Sequence, residues 1–400
     1  MASPRFDFVI IGAGIIGLAA AREALTRFPR ARLLVVDKED RVAAHQSGRN
    51  SGVIHSGLYY RPGSIKAATC VSGRAALLDF CREEEIPHRI CGKVVVATSA
   101  MEASRLEDLR RRGAANGVPG LAIIDTARLR DLEPHAGGVA ALHVPGAGIT
   151  DFGAVARRFA AIVQEKDGIV RTGARVIGLR RGTAGMAVET TGGAFDAARV
   201  INCAGLYCDR IARLAGATID VDIVPFRGEY LSVAGGGREL VRALLYPVPD
   251  AALPFLGVHF TRRIDGELEL GPNAVPAFSR EGYRRRDIDA GDLIAMARSP
   301  GSWRLLRRHW RTALGEACRS ASRAATARAA RRLLPELRTA DLRPAPAGVR
   351  AQAVGRDGAL IDDFRFAVTE RAIHVLNVPS PAATASIAVA RRIIDMAGQI

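Results

Sequence analysis

Apolar and polar positions alternate along the chain in two rhythms. Phe8–Ile11 is an apolar run with no polar break, which predicts a parallel strand buried on both faces. It runs into Gly12-Ala13-Gly14-Ile15-Ile16-Gly17 and an apolar stretch ending at Arg22, a turn entering a helix. A second strand is expected over Arg32–Val36, ending in Asp37, 20 positions after Gly17. Gly173–Leu179 followed by Met186–Thr190 predicts a hairpin, and Arg199–Gly205 a strand closing in a small-residue turn. Near the end His374–Val378 has strand character, and Pro379–Ser386 is expected to open a helix, with proline in its first turn and free N–H groups beyond. Between these pieces, Leu253–Thr261 and Glu267–Gly271 are strand-like and joined by the hairpin dipeptide Asp265-Gly266, whereas 289–338 carries helical spacing.

The expected fold class is therefore α/β, with an α+β second domain. Residues 1–85, 147–215 and 346–400 form a doubly wound, Rossmann-like domain discontinuous in sequence. Residues 86–146 and 216–345 form a mixed, largely antiparallel-sheet domain for substrate.

Composition narrows the classes. Four hundred residues, 48% hydrophobic and 24% charged, with mean hydropathy +0.08, can bury more than one core, which excludes intrinsic disorder. Six cysteines without a CxxC pair indicate neither a disulfide scaffold nor a structural zinc, and suit a reducing compartment. The apolar run Phe8–Ala21 is shorter than the ~20 residues a bilayer span needs, and no charged segment or cleavage site precedes it. A cytoplasmic location, or one peripheral to the inner face of a membrane, is expected. The net charge is +16, and lysine supplies only residues 38, 66, 93 and 166 of the 57 basic positions, leaving 53 arginines. With aromatics at 5% and no nucleic-acid-binding motif, this charge does not predict specific nucleic-acid recognition.

The glycine spacing carries chemistry. Gly12 permits the tight turn, Gly14 leaves room for a pyrophosphate, and Gly17 lets the helix pack on the strand, while Asp37 is placed to accept ribose hydroxyls. NAD and FAD sites share this fingerprint. A nucleotide domain assembled from N-terminal, middle and C-terminal pieces favours a flavoprotein.

Further blocks make the pattern specific. His45-Gln46-Ser47-Gly48-Arg49-Asn50-Ser51-Gly52-Val53-Ile54-His55-Ser56-Gly57-Leu58-Tyr59-Tyr60 is followed by Pro62–Lys66, Pro225–Tyr230, Tyr246–Asp250, Pro254–His259, Gly271–Val275, Gly348–Ala353 and Pro379–Thr384. In these blocks the sequence resembles the L-2-hydroxyglutarate dehydrogenase/oxidase family of D-amino-acid-oxidase-like FAD oxidoreductases. The resemblance implies FAD, held covalently or not, oxidation of L-2-hydroxyglutarate to 2-oxoglutarate, and quinone or oxygen as electron acceptor. Cofactor contacts are expected at Gly12, Gly14, Ile15, Ile16, Gly17, Asp37, Lys38, Ser47, Arg49, Asn50, Ser51, Gly52, Val176, Ala204, Gly205, Ser380, Ala382, Ala383 and Thr384. No cluster of metal ligands is expected.

Oxidising a carbinol needs a base for the hydroxyl proton, a task that suits histidine near neutral pH. His259 and His55 lie in motif-dense segments, and His259 is the favoured base. A hydrogen-bonded structural role is the alternative for either, and a flavin attachment point is a further one for His55. A dicarboxylate needs two cationic clamps, for which Arg227 and Arg350 are the candidates, with Tyr246 and Tyr60 as hydroxyl donors. Rival expectations are oxidation of malate, an amino acid or glycerol 3-phosphate, or a flavin-bound protein that docks on membrane or RNA without turnover. The Arg-rich stretch Ser302–Arg338, with Trp303, Leu305, Leu306, Trp310, Leu314, Leu333 and Leu334, either lies on an anionic membrane or packs inward with a solvated basic face.

Overall fold

The N-terminal strand spans Arg5–Ile11 between Leu33–Val36 and Gly193–Asn202, parallel to both, in a computed structural model that describes residues 4–182, 185–249 and 257–399. Its central place explains its lack of polar residues, since Val9 and Ile10 are both fully buried although they point to opposite faces. Ile10 packs with Leu18, Phe159 and Ile393 of the helices Ile15–Arg27, Phe152–Glu165 and Ser386–Ala397. Val9 packs with Val188 and Phe195 on the other face. Burying such a side chain contributes about 1.5–3 kcal/mol. Gly193–Asn202 divides one edge between two neighbours: its start pairs antiparallel with the hairpin Val176–Gly182/Gly185–Thr190, and its end pairs parallel with Ala372–Asn377. The N-terminal, middle and C-terminal pieces thus meet in one eight-stranded sheet.

A nine-stranded sheet holds the remaining long strands. Its spine is Val221–Val233 paired antiparallel with Leu342–Gly355, with a register break between Gly228 and Tyr230. Leu342–Gly355 crosses the boundary expected at 345/346, because its ladder to Val221–Val233 continues to the Val221–Gly355 pair. His259–Arg262 and Leu268–Gly271 pair across the Asp265-Gly266 turn, and Lys93–Ala97 runs parallel to Leu244–Pro247. The beginning of the strand expected from Leu253, with the motif residues Pro254, Phe255 and Leu256, lies outside the described residues.

Two expectations about helices change. The stretch 289–338 forms the helical segments Ala290–Arg298, Pro300–Ala321, itself kinked at the non-helical His309, and Arg323–Ala330, where Ser299 and Ser322 cap new N-termini by accepting from Ser302 N and Ala325 N. Pro379–Ala385 forms turns, and the helix begins only at Ser386, with no proline in its first turn. Pro379 and Pro381 carbonyls accept from Ala382 and Ala385 N–H, which closes the chain on itself before the helix starts.

Candidate active site

A cavity of about 1120 Å³ is lined by the glycine turn, the 43–60 loop, the 375–384 segment and residues of the nine-stranded sheet. At its glycine end, Gly12 has φ +110°, and a Cβ there would meet the Cys203 carbonyl oxygen at 2.4 Å. A Cβ on Gly17 would meet the Gly12 carbonyl oxygen at 2.0 Å, so Gly17 packs helix on turn and does not line the cavity. Gly14 does line it: a Cβ would meet only Ser47 Oγ, at 3.3 Å, and would project into the space. Asp37 Oδ2 accepts from Ala13 N at 2.6 Å, and Ser47 Oγ from Ile15 N at 2.8 Å, which ties both to the turn. No acidic residue stands in the first turn of Ile15–Arg27, so its positive end is open to an anion.

The other expected cofactor positions divide. Ile15, Ile16, Arg49, Ser51, Val176, Ala204, Gly205, Ser380, Ala382, Ala383 and Thr384 line the cavity. Asn50 lines it too, but its amide donates to the Gln46 and Ser47 carbonyls and its Oδ1 accepts from Gly52 N. Gly52 itself does not line the cavity; at φ +70° its place is a turn against the Thr150 carbonyl. Lys38 lines it with its ammonium paired to Glu39 and Glu281. Glu39, His45 and Glu281 converge closely, and the Lys38 ammonium is the cation they hold.

His259, His55, Tyr246, Tyr60 and Arg350 all line this same cavity. His259 Nδ1 donates to the Gly257 carbonyl at 2.8 Å, which leaves Nε2 as the acceptor, and its ring lies 4.0 Å from that of Tyr246. His55 Nε2 lies 3.1 Å from Ser380 Oγ, and its backbone N–H donates to Thr384 Oγ1. Desolvation pushes His259 down to about 4 and His55 down to about 3, so both imidazoles are neutral at pH 7. Arg350 donates from Nη1 to the Asn273 carbonyl at 3.1 Å, and burial lowers its pKa.

Arg227 is elsewhere. Gly228 and Tyr230 line the cavity, and strand alternation turns Arg227 and Glu229 to the opposite face. There Arg227 Nη2 pairs with Glu229 Oε1 at 3.1 Å, and Nη1 donates to the Arg284 carbonyl. The period of two in Val221–Val233 is the signal that separates Arg227 from Tyr230. Lys66, Tyr59 and Tyr230, not among the expected contacts, also line the cavity; all three stand inside motif blocks.

A sequence model described as FAD dependent oxidoreductase (DAO) matches residues 7–396. The chain belongs to this family. Within it, the chain is 44% identical over 393 residues to L-2-hydroxyglutarate dehydrogenase of Indibacter alkaliphilus, covering 98% of both chains. It is 43% identical to the mitochondrial L-2-hydroxyglutarate dehydrogenase of Homo sapiens, covering 98% of this chain and 88% of that one. The fold matches L-alpha-glycerophosphate oxidase from Mycoplasma pneumoniae, solved with FAD bound, at TM-score 0.80 and 22% identity over 98% of this chain and 95% of the other. Glycine oxidase from Geobacillus kaustophilus matches at TM-score 0.74 and 18% identity over 99% and 95%. The site fits the family's cofactor on its own terms, since the bare backbone at Gly14 and the uncompensated helix end suit a pyrophosphate. The protein is an FAD-dependent oxidoreductase.

Proposed function

We propose that this FAD-dependent oxidoreductase oxidises L-2-hydroxyglutarate to 2-oxoglutarate. The observation that carries the reading is one cavity faced both by the Gly14 cradle and by two neutral histidines, Arg350, Tyr246 and Tyr60. The names of the full-length relatives support the substrate. Residues 1–85, 147–215 and 346–400 bear chiefly on the cofactor and 86–146 with 216–345 chiefly on the substrate, while Tyr60 and, on the strand Leu342–Gly355 that crosses between them, Arg350 reach the substrate from the cofactor side.

Bound FAD supplies the two-electron acceptor for the hydride that leaves C2. Gly12, Gly14, Ile15 and Ser47 would hold its pyrophosphate and Asp37 its ribose, and Ser380, Pro381, Ala382, Ala383 and Thr384 would complete its site. His259 Nε2 takes the hydroxyl proton as the C2–O bond becomes a carbonyl, while Nδ1–H on Gly257 fixes the tautomer. Arg350 holds one carboxylate by charge-assisted hydrogen bonds, and Tyr246 and Tyr60 donate to substrate oxygens.

The electrons leave to quinone or oxygen. A peripheral contact with an anionic membrane, where quinone resides, is supported by the segment Pro300–Ala321, which kinks at His309: Trp303 and Leu306 before the kink and Trp310 and Leu314 after it are 59%, 46%, 53% and 59% exposed. Leu305, Leu333, Leu334 and Leu337 of the stretch Ser302–Arg338 pack inward, as do Ala327 and Ala330. Among the described residues no helix is long and apolar enough to cross a membrane.

Visible spectra of the purified protein, recorded anaerobically before and after each candidate substrate, test the proposal. L-2-Hydroxyglutarate should bleach the flavin, and its D enantiomer, L-malate and glycerol 3-phosphate should not. Bleaching by L-malate or glycerol 3-phosphate in its place would reassign the substrate.

A further inference from the structure

In a chain with 53 arginines, the four lysines are exceptions. Lys166 is exposed at a helix end. Lys38 and Lys66 line the cavity, each with a carboxylate partner, Asp362 at 2.8 Å in the case of Lys66. Lys93 differs from all three. It opens Lys93–Ala97, a strand of five buried residues, is 2% exposed, and its ammonium has no hydrogen bond or carboxylate partner among the described residues. Its Nζ rests on aromatic rings, 4.4 Å from the Tyr59 centroid and 5.0 Å from that of Tyr246. Val95, Leu142, Val144 and Leu244 stand in the same apolar cluster as Tyr246, and Cys70, His55 and His259 lie within electrostatic reach of the amine. Both tyrosines line the cavity beside His55, His259 and Arg350, and the Tyr59 hydroxyl oxygen is buried with no partner.

A charge placed among apolar side chains destabilises the fold unless something pairs with it. Arginine, which this composition favours, cannot release its proton; lysine can. A lysine kept here against the compositional trend, behind two tyrosines that line the cavity, points to an anion that arrives with the ligand. Turning Arg227 away also leaves a dicarboxylate with Arg350 as its one assigned clamp.

We propose that Lys93 is a positioning residue for the second carboxylate of a dicarboxylate substrate: its ammonium, behind the Tyr59 and Tyr246 rings, supplies the balancing charge. This rests on the reading of the cavity as a 2-hydroxy dicarboxylate site. A pH signature follows from the groups packed around the amine. Burial raises Tyr59 and Tyr246 and lifts the Cys70 thiol to about 12, His55 and His259 are depressed, and Lys66 is paired with Asp362. Burial lowers the Lys93 amine to about 7, so of these groups it is the one that titrates near neutrality. A carboxylate in front of it favours the protonated form, so binding takes up a proton and affinity falls as pH rises above about 7.

Lys93→Met tests this at matched length. KM for L-2-hydroxyglutarate should rise about 10- to 100-fold, the scale of one charge-assisted pair. KM for L-2-hydroxybutyrate, which lacks the second carboxylate, should change less than about threefold. Tm should rise, because an apolar chain replaces an unpaired charge. Lys93→Arg, which stays charged, should lose the increase of KM with pH. In the wild-type holoenzyme, where no substitution disturbs folding, glutarate binding followed by the flavin spectrum should weaken from about pH 7 to 9, while butyrate binding stays flat. If Lys93→Met is bleached normally and treats diacid and monoacid as the wild type does, the role of Lys93 is overturned and the substrate reading stands. If glutarate binding in the wild type is flat with pH, the role is likewise overturned. If L-2-hydroxyglutarate does not bleach the wild type, both readings fall.

Discussion

Single residues carry the chemistry, and their tests separate roles that one cavity shares. His259→Ala should slow flavin reduction roughly 100-fold or more with FAD still bound, the scale of losing a general base. Stopped-flow reduction of both histidine variants checks it, and a defect in His55→Ala alone would exchange the two roles. Arg350→Ala should raise KM by the equivalent of about 1.5–3 kcal/mol. Arg227→Ala should leave KM near the wild-type value and lower Tm, because Glu229 loses a buried partner. His259, His55 and Arg350 were legible in the sequence because the motif blocks around them are dense. Arg227 shares such a block, but strand alternation sends it to the other face. Lys93 gives no signal in sequence, since KVVVA looks like an ordinary strand start until burial is known.

At the scale of elements, the strand, turn and helix at the N-terminus form one device for holding a phosphate. Gly14→Val should yield protein with little or no bound FAD, because a branched side chain would fill the space a pyrophosphate approaches; flavin absorbance per mole of protein measures it, and full occupancy would refute the cradle. The helix Pro300–Ala321 makes a separate claim. Among the described residues no carboxylate pairs with Arg304, Arg307, Arg308 or Arg311, which accompany the exposed Trp and Leu stripe. Sedimentation with anionic liposomes should therefore retain the protein at low salt and release it as salt rises. Changing these four arginines to Gln should abolish retention, and equal recovery of wild type from anionic and neutral liposomes would remove the membrane reading. Helical character over 289–338 was visible from spacing, whereas the breaks depend on Ser299 and Ser322 capping new N-termini.

For the whole molecule, buried neutral histidines link stability to pH. His55, His259 and His374 are pushed down to about 3, about 4 and about 4 by desolvation. Unfolded, they titrate near 6.5, so between about pH 6.5 and 4 the unfolded chain binds more protons and stability falls as pH falls. His259 and His374, the two that are buried, each contribute up to about 1.4 kcal/mol per pH unit in that window, and half-buried His55 less. Urea unfolding of the apoprotein at steps from pH 7 to about 4.5 should show the decline, and His374→Asn should reduce its slope. The sequence by itself determined the phosphate-binding turn, the nucleotide sheet in three pieces and the family, because these depend on local runs, glycine spacing and ordered motif blocks. The tertiary structure alone decided which side chains meet. Strand register turned Arg227 away from the cavity, the joining of distant strands placed Lys93 behind Tyr59 and Tyr246, and desolvation set the histidines neutral. Each depends on contacts between segments far apart in the chain, for which local pattern has no signature.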